Sequence, residues 1–204
     1  MLPHALLLAA GRATRFGGQK LLALWRGRPL VTHSIALIGA LRARGRLAGA
    51  TAVTPAGDEA VTPLLRQGGF RIVRNDHPEW GISHSLRLGL GSLAALEPQP
   101  EAALIFLADQ PAAPREAAEE VIGAWQAGGS VVVRPRYADT PDVPGHPLLL
   151  DRDAWGIADS LRGDQGLGPA LERSPHLVLQ VDVDGANPDV DVPADLARIE
   201  RFPT

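Results

Sequence analysis

The chain reads Leu6-Leu7-Leu8-Ala9-Ala10-Gly11-Arg12-Ala13-Thr14-Arg15-Phe16-Gly17-Gly18-Gln19-Lys20 near its N-terminus, an apolar run that leads directly into a glycine-rich loop. The run Ala5–Ala9 is short and apolar throughout, which is typical of a strand buried on both faces of a sheet. No basic segment precedes it and glycines follow at once, so a secretory leader is disfavoured. A buried strand that ends in such a loop indicates the start of an α/β fold.

The chemistry of this loop depends on its one lysine. Lys20 is the only lysine among the twenty basic residues of the chain, and the glycines before it let the backbone approach a ligand closely. Together Arg15 and Lys20 supply two positive charges, which favours a triphosphate or pyrophosphate ligand. Leu21 follows Lys20, so the hydroxyl of the G-x-x-x-x-G-K-[ST] motif is missing and a P-loop NTPase is disfavoured. A glycine-rich turn without a ligand is the alternative interpretation.

Length and composition narrow the class of protein. The chain has 204 residues, 45% of them apolar, and a net charge of −3, which predicts one globular domain over residues 1–204 without a broad basic surface for nucleic acid. It has no cysteine, so disulfides and cysteine-ligated zinc are excluded. Its apolar stretches fall well short of the ~20 residues that span a bilayer, so we expect a cytoplasmic protein without a membrane partner.

Strand-like and helix-like segments alternate along the chain. Short apolar runs predict strands at Ala5–Ala9, Ala50–Thr54, Phe70–Val73, Ala102–Leu107, Ser130–Val133 and Leu177–Val181. Longer patterns predict helices at about Pro29–Arg44, Asp58–Gln67, Ser83–Leu96, Pro114–Gln126, Arg152–Asp159, Leu167–Arg173 and Pro193–Arg201, with 134–147 and 185–193 irregular. This alternation predicts a single-domain α/β fold in which a mostly parallel sheet carries helices on both faces. Ligands of such sheets bind beyond the carboxyl ends of the strands.

Carboxylates follow the fourth predicted strand and precede the last predicted helix. Asp109 comes just after Ala102–Leu107, where it could hold Mg²⁺ against phosphates or cap a helix. Because the phosphate loop lies at the same edge of the sheet, we favour the metal. Asp189 or Asp191 could complete that site, and helix capping is the alternative for Asp191. Asp195 is expected on a solvated helix face.

Neutral polar groups follow the third predicted strand. Asn75 offers an amide, and Ser83 and Ser85 offer hydroxyls at the start of the helix Ser83–Leu96, which suits recognition of a nucleobase. Ser83 could instead be a helix N-cap. His84 is expected to be a surface or packing histidine, because the sequence identifies no partner for it.

Two further turns are dense in polar groups. They are Gly145-His146-Pro147-Leu148 and Leu161-Arg162-Gly163-Asp164-Gln165-Gly166. Either turn could line the pocket of a second substrate, and an ordinary proline- or glycine-containing turn is an equally good interpretation of each.

The order of these motifs resembles that of the MobA-like NTP transferases and, within them, the molybdenum cofactor cytidylyltransferases, the MocA-like branch. The motifs span nearly the whole chain: Leu8-Ala9-Ala10-Gly11, Arg15-Phe16-Gly17, Lys20-Leu21-Leu22, Asn75, Trp80-Gly81, Ser85-Leu86, Leu107-Ala108-Asp109-Gln110-Pro111, Gly145-His146-Pro147, Gly163-Asp164-Gln165-Gly166 and Asp189-Val190-Asp191-Val192-Pro193-Ala194-Asp195-Leu196. Ala9-Ala10-Gly11 and Asp109-Gln110-Pro111 look more like the cytidylyl branch than the guanylyl branch. The resemblance implies a Rossmann-like, GT-A-like nucleotidyltransferase fold.

The resemblance also implies roles for individual residues. Nucleotide binding is expected at Leu8, Ala9, Ala10, Gly11, Arg12, Arg15, Lys20, Asn75, Gly81, Ser83, Ser85 and Asp109, of which Arg15, Lys20 and Asp109 are expected to be catalytic. Mg²⁺ is expected on Asp109 and on the best-matched second aspartate, Asp191, with Asp189 as the alternative. The acceptor is expected at Gln110, Gly145, His146 and Asp164.

The implied activity is transfer of CMP from CTP to the terminal phosphate of molybdopterin, with release of pyrophosphate. Such a phosphate is mostly dianionic at neutral pH because its second pKa is about 6, so no general base is required. GTP in place of CTP, and contact with a molybdoenzyme or its chaperone, stay open. Other hypotheses are a guanylyl- or sugar-1-phosphate nucleotidyltransferase, a nucleotide-sugar-dependent glycosyltransferase, and a non-catalytic nucleotide-binding module in cofactor assembly.

Overall fold

The computed structural model describes residues 1–11 and 13–202. Its strands are β1 (His4–Leu8), β2 (Leu24–Trp25), β3 (Arg28–Pro29), β4 (Gly49–Pro55), β5 (Arg71–Asn75), β6 (Ala102–Leu107), β7 (Val132–Tyr137), β8 (Leu148–Asp151) and β9 (Val178–Val183). Its α-helices are α1 (Leu30–Ala43), α2 (Val61–Gln67), α3 (Ile82–Ala94), α4 (Arg115–Gln126), α5 (Gly168–Glu172) and α6 (Ala194–Ile199). Short 3₁₀ helices cover Lys20–Leu22, Pro78–Trp80, Arg152–Ser160 and Pro175–Leu177.

Seven of these strands form one sheet in the order β5-β4-β1-β6-β8-β7-β9. β5, β4, β1 and β6 run parallel to one another, and β7 runs parallel to β9. β8 is antiparallel to both of its neighbours. The predicted α/β architecture with a mostly parallel sheet is therefore confirmed, and β2 and β3 add a separate antiparallel ribbon.

The apolar run that opens the chain lies at the centre of the core. In β1, Leu6 pairs with Thr51 of β4 on one side and with Ile105 of β6 on the other. Leu7 packs in an apolar cluster with α1, α2 and α4, whereas Leu8 packs in a second cluster with α3 and α5. All of β1 is buried. Burial on both faces explains why the run is apolar at consecutive positions instead of alternating.

The sequence predicted the parallel part of the sheet better than the rest. β8 was not among the predicted strands, and only its first residue, Leu148, belongs to the segment that was expected to be a turn. β7 continues to Tyr137 through a stretch that was expected to be irregular. Leu148, Leu149 and Leu150 are all buried, so this short strand lacks the alternation that marks a half-buried strand. Residues 152–160 form a 3₁₀ helix in place of the expected α-helix.

The parallel strands β1, β4, β5 and β6 end at one edge of the sheet. The glycine-rich loop leaves β1 at this edge, and Ala108, which follows β6, donates a backbone hydrogen bond to the carbonyl oxygen of Leu8 at 3.1 Å. Asp109 therefore begins its loop next to the glycine-rich loop. In the part of the chain that the structure describes, no helix combines the length and apolar character needed to cross a membrane.

Candidate active site

A cavity of about 600 Å³ opens at the carboxyl edge of the parallel strands. Its walls come from the glycine-rich loop, from the turn that leads into α3 and from the segment that precedes α6. The lining residues are Leu8, Ala10, Gly11, Ala13, Thr14, Arg15, Lys20, Pro78, Glu79, Gly81, Ile82, Ser85, Leu107, Asp109, Asp164, Asp189 and Asp191. One wall carries most of the charged groups, and the wall formed by the start of α3 is mostly neutral.

Four ionisable side chains converge on the charged wall. The Lys20 ammonium donates to Asp109 Oδ2 at 2.6 Å and to Asp191 Oδ1 at 3.4 Å. Arg15 Nη2 lies 2.9 Å from Asp191 Oδ2. Lys20 is 8% exposed, whereas the Arg15 side chain is 72% exposed. We call Arg15, Lys20, Asp109 and Asp191 the charged cluster; two of its members, Lys20 and Asp191, are 171 positions apart in sequence.

Hydrogen bonds to the backbone fix the relative positions of the two carboxylates. Val190 donates its N–H to the carbonyl oxygen of Asp109 at 2.9 Å, so Asp191 lies beside Asp109. Asp195 Oδ2 accepts the backbone N–H groups of Asp191 at 2.7 Å and of Val192 at 2.9 Å. These bonds, that of Val192 first, hold the pKa of Asp195 below its usual value. Asp195 therefore caps the turn before α6, and the expectation of a solvated side chain was wrong: it is 13% exposed.

An apolar cluster behind the charged wall holds the segment that carries Asp191. Its buried members are Trp25, Leu30, Ala112, Ala186, Val190, Ile199 and Phe202. Arg26, between β2 and β3, donates from Nη2 to the carbonyl oxygens of Phe202 at 2.5 Å and of Glu200 at 3.1 Å. The end of α6 is thereby tied to the β2–β3 ribbon, close to the segment that begins at Lys20.

Asp189 has a different environment from Asp191. Its Oδ1 accepts a hydrogen bond from Gln110 Nε2 at 2.9 Å, and Gln110 Oε1 in turn accepts from Asn187 Nδ2 at 3.3 Å. Partial removal from water, followed by the nearby Asp109 carboxylate, raises the pKa of Asp189. Asp191 instead belongs to the charged cluster, so it is the aspartate that shares a cation with Asp109.

The neutral wall begins at Gly81, whose φ of 82° disfavours any residue with a side chain. A Cβ at this position would lie 2.3 Å from the carbonyl carbon of Gly163 and 2.6 Å from Asp164 Oδ1. Ser85 lines the cavity, and its Oγ accepts a hydrogen bond from Asn75 Nδ2 at 3.0 Å. Asn75 is itself buried behind the wall, where its amide orients the Ser85 hydroxyl.

Ser83 lies behind the same wall. It is fully buried, and its backbone N–H donates to the carbonyl oxygen of Gly163 at 3.1 Å. Its Oγ has no hydrogen-bond partner among the described residues, so it is not the side-chain cap that the sequence allowed. Ser85 therefore brings the hydroxyl that reaches the cavity. His84 packs edge-on against Trp80 with ring centroids 4.9 Å apart, as expected of a packing histidine.

Gly145 and His146 lie just before β8. A Cβ on Gly145 would lie 2.3 Å from the carbonyl oxygen of Pro135, so the two chain segments require glycine for their close approach. The carbonyl oxygen of His146 accepts a hydrogen bond from the Tyr137 hydroxyl at 2.6 Å. Burial lowers the pKa of His146 to about 4, although the Asp109 carboxylate opposes the shift. The imidazole is therefore neutral at pH 7.

The structure brings many of the predicted residues to the cavity and leaves others behind its walls. Besides the charged cluster, the lining contains Leu8, Ala10, Gly11, Gly81, Ser85 and Asp164. Ala9 lines a neighbouring cavity of about 570 Å³ that shares Lys20 and Asp109 with the first. Asn75, Ser83 and Gln110 are buried behind the lining. Asn75 contacts Ser85 and Gln110 contacts Asp189, whereas the Ser83 hydroxyl has no partner among the described residues. Arg12 lies outside the described residues.

Sequence reasoning missed part of both cavities. Pro78, Glu79 and Leu107 line the first cavity. The segment 55–61, which begins at the last residue of β4, lines the second. A signal was available for that segment, because β4 is parallel to β1 and ends at the same edge. Asp58 within it accepts the backbone N–H groups that open α2.

The charged cluster has a donor set that fits a divalent cation. Carboxylate oxygens of Asp109 and Asp191 already converge on one cation, the Lys20 ammonium. One or two carboxylates are what Mg²⁺ commonly takes from a protein when phosphates and water complete its shell. Among residues 1–11 and 13–202, no group of three or more His, Cys, Asp or Glu side chains is arranged as a metal site built from protein alone.

Comparison with protein families matches residues 5–178 to the MobA-like NTP transferase domain. The chain belongs to the MobA-like NTP transferase family. The predicted family is confirmed by a match that includes Lys20 and Asp109 and ends before Asp191. Comparison with curated proteins gives no match to this MobA-like transferase.

Solved structures of similar fold align with almost the whole of this MobA-like transferase. Rv0371c from Mycobacterium tuberculosis H37Rv is 25% identical, with a TM-score of 0.78 and 98% of each chain covered. A complex of that protein with manganese is 24% identical, with a TM-score of 0.77 and the same coverage of 98%. CMP:2-keto-3-deoxy-manno-octonic acid synthetase complexed with CTP is 12% identical, with a TM-score of 0.76, 98% of this chain and 97% of that chain covered. The fold is therefore one that nucleotidyltransferases use.

Proposed function

We propose that this MobA-like transferase moves CMP from CTP to the terminal phosphate of molybdopterin, with Mg²⁺ as cofactor and pyrophosphate as second product. The observation that carries the proposal is the charged cluster, in which the only lysine of the chain lies 2.6 Å from Asp109 beside a glycine-rich loop. A nucleoside triphosphate with Mg²⁺ supplies an anion for Arg15 and Lys20 and a cation for the carboxylates of Asp109 and Asp191.

Arg15 and Lys20 are proposed to hold the phosphates and to stabilise the departing pyrophosphate. Both side chains face the same cavity, where fixed positive charge stabilises negative charge that develops on the leaving group. Arg15 is largely exposed, so it can turn onto the phosphates with little loss of packing. The backbone from Leu8 to Gly11 is proposed to complete the phosphate site, and Arg12 is proposed to bind the nucleotide as well.

Asp109 and Asp191 are proposed to hold the Mg²⁺ ion. When bound, the ion neutralises phosphate charge and polarises the α-phosphate for attack. Asp109 and Asp191 are brought together by the backbone hydrogen bond from Val190 and by the Asp195 cap, so their positions are set before any ligand binds. Such preorganisation lowers the cost of assembling the site.

The cytosine is proposed to lie between the loop backbone at Ala10 and Gly11 and the neutral wall at Gly81 and Ser85. Because Ser85 Oγ accepts from Asn75, its own proton points elsewhere and is available to the carbonyl or ring nitrogen of cytosine. A complex of the same fold with CTP supports this choice of nucleotide.

The acceptor is proposed to bind beyond Asp109, near Gln110, Gly145, His146 and Asp164. His146 is neutral at pH 7, and a dianionic phosphate attacks without losing a proton, so the proposal requires no general base. A cytoplasmic location, and a molybdoenzyme or its chaperone as recipient of the product, belong to the same proposal.

Pyrophosphate release with CTP or GTP and purified molybdopterin tests the proposal. We expect kcat/KM to be at least about tenfold higher for CTP, because a site that hydrogen-bonds one base leaves polar groups unpaired with another. Equal values or a preference for GTP would remove the cytidylyl assignment. Release with sugar 1-phosphates alone would change the acceptor, and nucleotide binding without any release would favour a non-catalytic module.

A further inference from the structure

We propose that Lys20 is the resident cation of the nucleotide-free site and that a divalent cation binds only by displacing its ammonium from Asp109 and Asp191. This inference takes the identity of the nucleotide from the function proposed above. It concerns how the metal ion enters the site. It assigns Lys20 a role before any phosphate is bound.

The geometry of the ammonium carries this inference. Nζ reaches one oxygen of each carboxylate, at 2.6 Å in Asp109 and at 3.4 Å in Asp191, so it occupies the space between them. Lys20 is 8% exposed, and the only partners that its Nζ has among the described residues are these two carboxylates. Without this cation, the two carboxylates would face each other with like charge. A divalent cation on the same oxygens would meet the ammonium at contact distance, so the two cations exclude each other.

Arg15 provides the contrast within the same cluster. It touches Asp191 alone, through the other oxygen, Oδ2, and its side chain is 72% exposed. Arg15 therefore neutralises charge at the rim without filling the position between the carboxylates. Removing Arg15 or Lys20 takes away one unit of positive charge in each case, but only the removal of Lys20 empties that position.

The displaced ammonium needs a new anionic partner, and the phosphates of a nucleotide supply one in the same cavity. When Lys20 turns to the phosphates, both carboxylates become free for the metal. Coupling of this kind is reciprocal, so each ligand must tighten the binding of the other. The nucleotide-free protein is then expected to hold divalent cations weakly.

Mn²⁺ titration followed by the EPR signal of the free ion tests the displacement without any nucleotide. We expect Lys20→Met to bind Mn²⁺ at least about tenfold more tightly than the wild type, a coupling of ordinary size for two ligands that exclude each other. The matched variant Arg15→Met is expected to gain about twofold, because an exposed ion pair is screened by water. A Lys20→Met variant that binds Mn²⁺ no better than wild type, or no better than Arg15→Met, overturns the proposal.

The wild-type chain allows a second test that does not depend on the folding of a variant. Because Lys20 is the only lysine, acetylation by acetic anhydride followed by peptide mass spectrometry reports on this one side chain. A lysine-containing peptide added to the same sample serves as the reference. Mn²⁺ without nucleotide, at a concentration that saturates the wild type in the EPR titration, is expected to raise the acetylation rate of Lys20 several-fold relative to that peptide, and an unchanged ratio contradicts displacement. Neither test measures catalysis, so a protein that fails to transfer CMP can still pass both.

Discussion

The charged wall and the neutral wall of the cavity are stabilised in different ways while no ligand is bound. On the charged wall, Lys20 Nζ lies 2.6 Å from Asp109 Oδ2 and 3.4 Å from Asp191 Oδ1, so the ammonium serves as counter-ion of both carboxylates. On the neutral wall, Gly81 packs against Gly163, and hydrogen bonds between uncharged groups complete the structure. Backbone hydrogen bonds, and not the charges themselves, set the positions of Asp109 and Asp191. We therefore expect substitutions in the charged wall to act mainly on catalysis, and those in the neutral wall on stability and base selection.

The largest effect is expected at Asp109. Asp109→Asn keeps the shape of the side chain and removes its charge, so pyrophosphate release should fall by about 100- to 1000-fold. The fold should survive, because the bond that Asp109 makes to Val190 uses its backbone oxygen. Pyrophosphate-release kinetics and thermal melting of the same preparation check both parts. If the melting temperature falls sharply while metal binding persists, the role of Asp109 is structural, and the charged wall does not differ from the neutral wall in the way proposed.

Lys20 is expected to give the next largest effect on catalysis. Lys20→Ala removes a charged donor from the leaving phosphates, which should cost ~2–4 kcal/mol of transition-state stabilisation. The measurement is kcat/KM for CTP at saturating Mg²⁺. A turnover within twofold of the wild type would remove Lys20 from the mechanism.

Gly81 tests the neutral wall. In Gly81→Ala the new Cβ meets the backbone of Gly163 at a φ of 82°, so the free energy of unfolding should fall by about 1–3 kcal/mol. Urea denaturation measures this change. Gly91→Ala, towards the C-terminal end of α3, is the matched control. A Cβ there meets nothing within 4 Å, and we expect a gain of about 0.5–1 kcal/mol. Equal losses in both variants would show that packing against Gly163 does not fix the wall.

The smallest effects are expected at Ser83 and Ser85, two serines of α3 that should respond differently to removal of the hydroxyl. Ser85→Ala removes the hydroxyl that reaches the cavity and leaves the Asn75 amide unpaired, which should lower kcat/KM for CTP by about tenfold. Ser83→Ala removes a fully buried hydroxyl that has no partner among the described residues, so the free energy of unfolding should rise by about 1 kcal/mol while kcat/KM for CTP stays within about twofold of the wild type. Urea denaturation and CTP kinetics on both variants provide the test. Equal losses of activity in the two variants would indicate that both hydroxyls contact the cytosine.

The sequence predicted those functional residues whose role depends on their position just after the end of a strand. Lys20 and Asp109 could be found because each follows an apolar run, and parallel strands end at one edge. The hydrogen bond between Lys20 and Asp109 could not be predicted. The motif indicates that Lys20 binds phosphates, but it does not indicate which carboxylate neutralises the ammonium while no phosphate is bound. The sequence also could not separate Ser83 from Ser85. Both lie in the first turn of α3, and only the packing of that helix decides which hydroxyl faces the ligand.

β8 and Asp195 show two other limits. β8 has the consecutive buried leucines that also mark β1, but it is only four residues long and follows a proline-containing turn directly, so its short apolar run is a weak signal for a strand. Asp195 looked like one more carboxylate on an exposed helix, yet its Oδ2 accepts two backbone N–H groups, including that of Asp191. Such a cap depends on the path of the chain before the helix, which the local sequence leaves undetermined.

The separation in sequence between Lys20 and Asp191 also determines when the active site forms during folding. Contacts that close long loops form late in folding, because ordering the intervening chain costs entropy before the contact returns any stabilisation. Lys20 and Asp191 are 171 positions apart, and Asp191 depends on the docking of α6 against the β2–β3 ribbon. A chain still leaving the ribosome is therefore expected to form its parallel strands first and to gain the complete charged cluster only when its last helix docks.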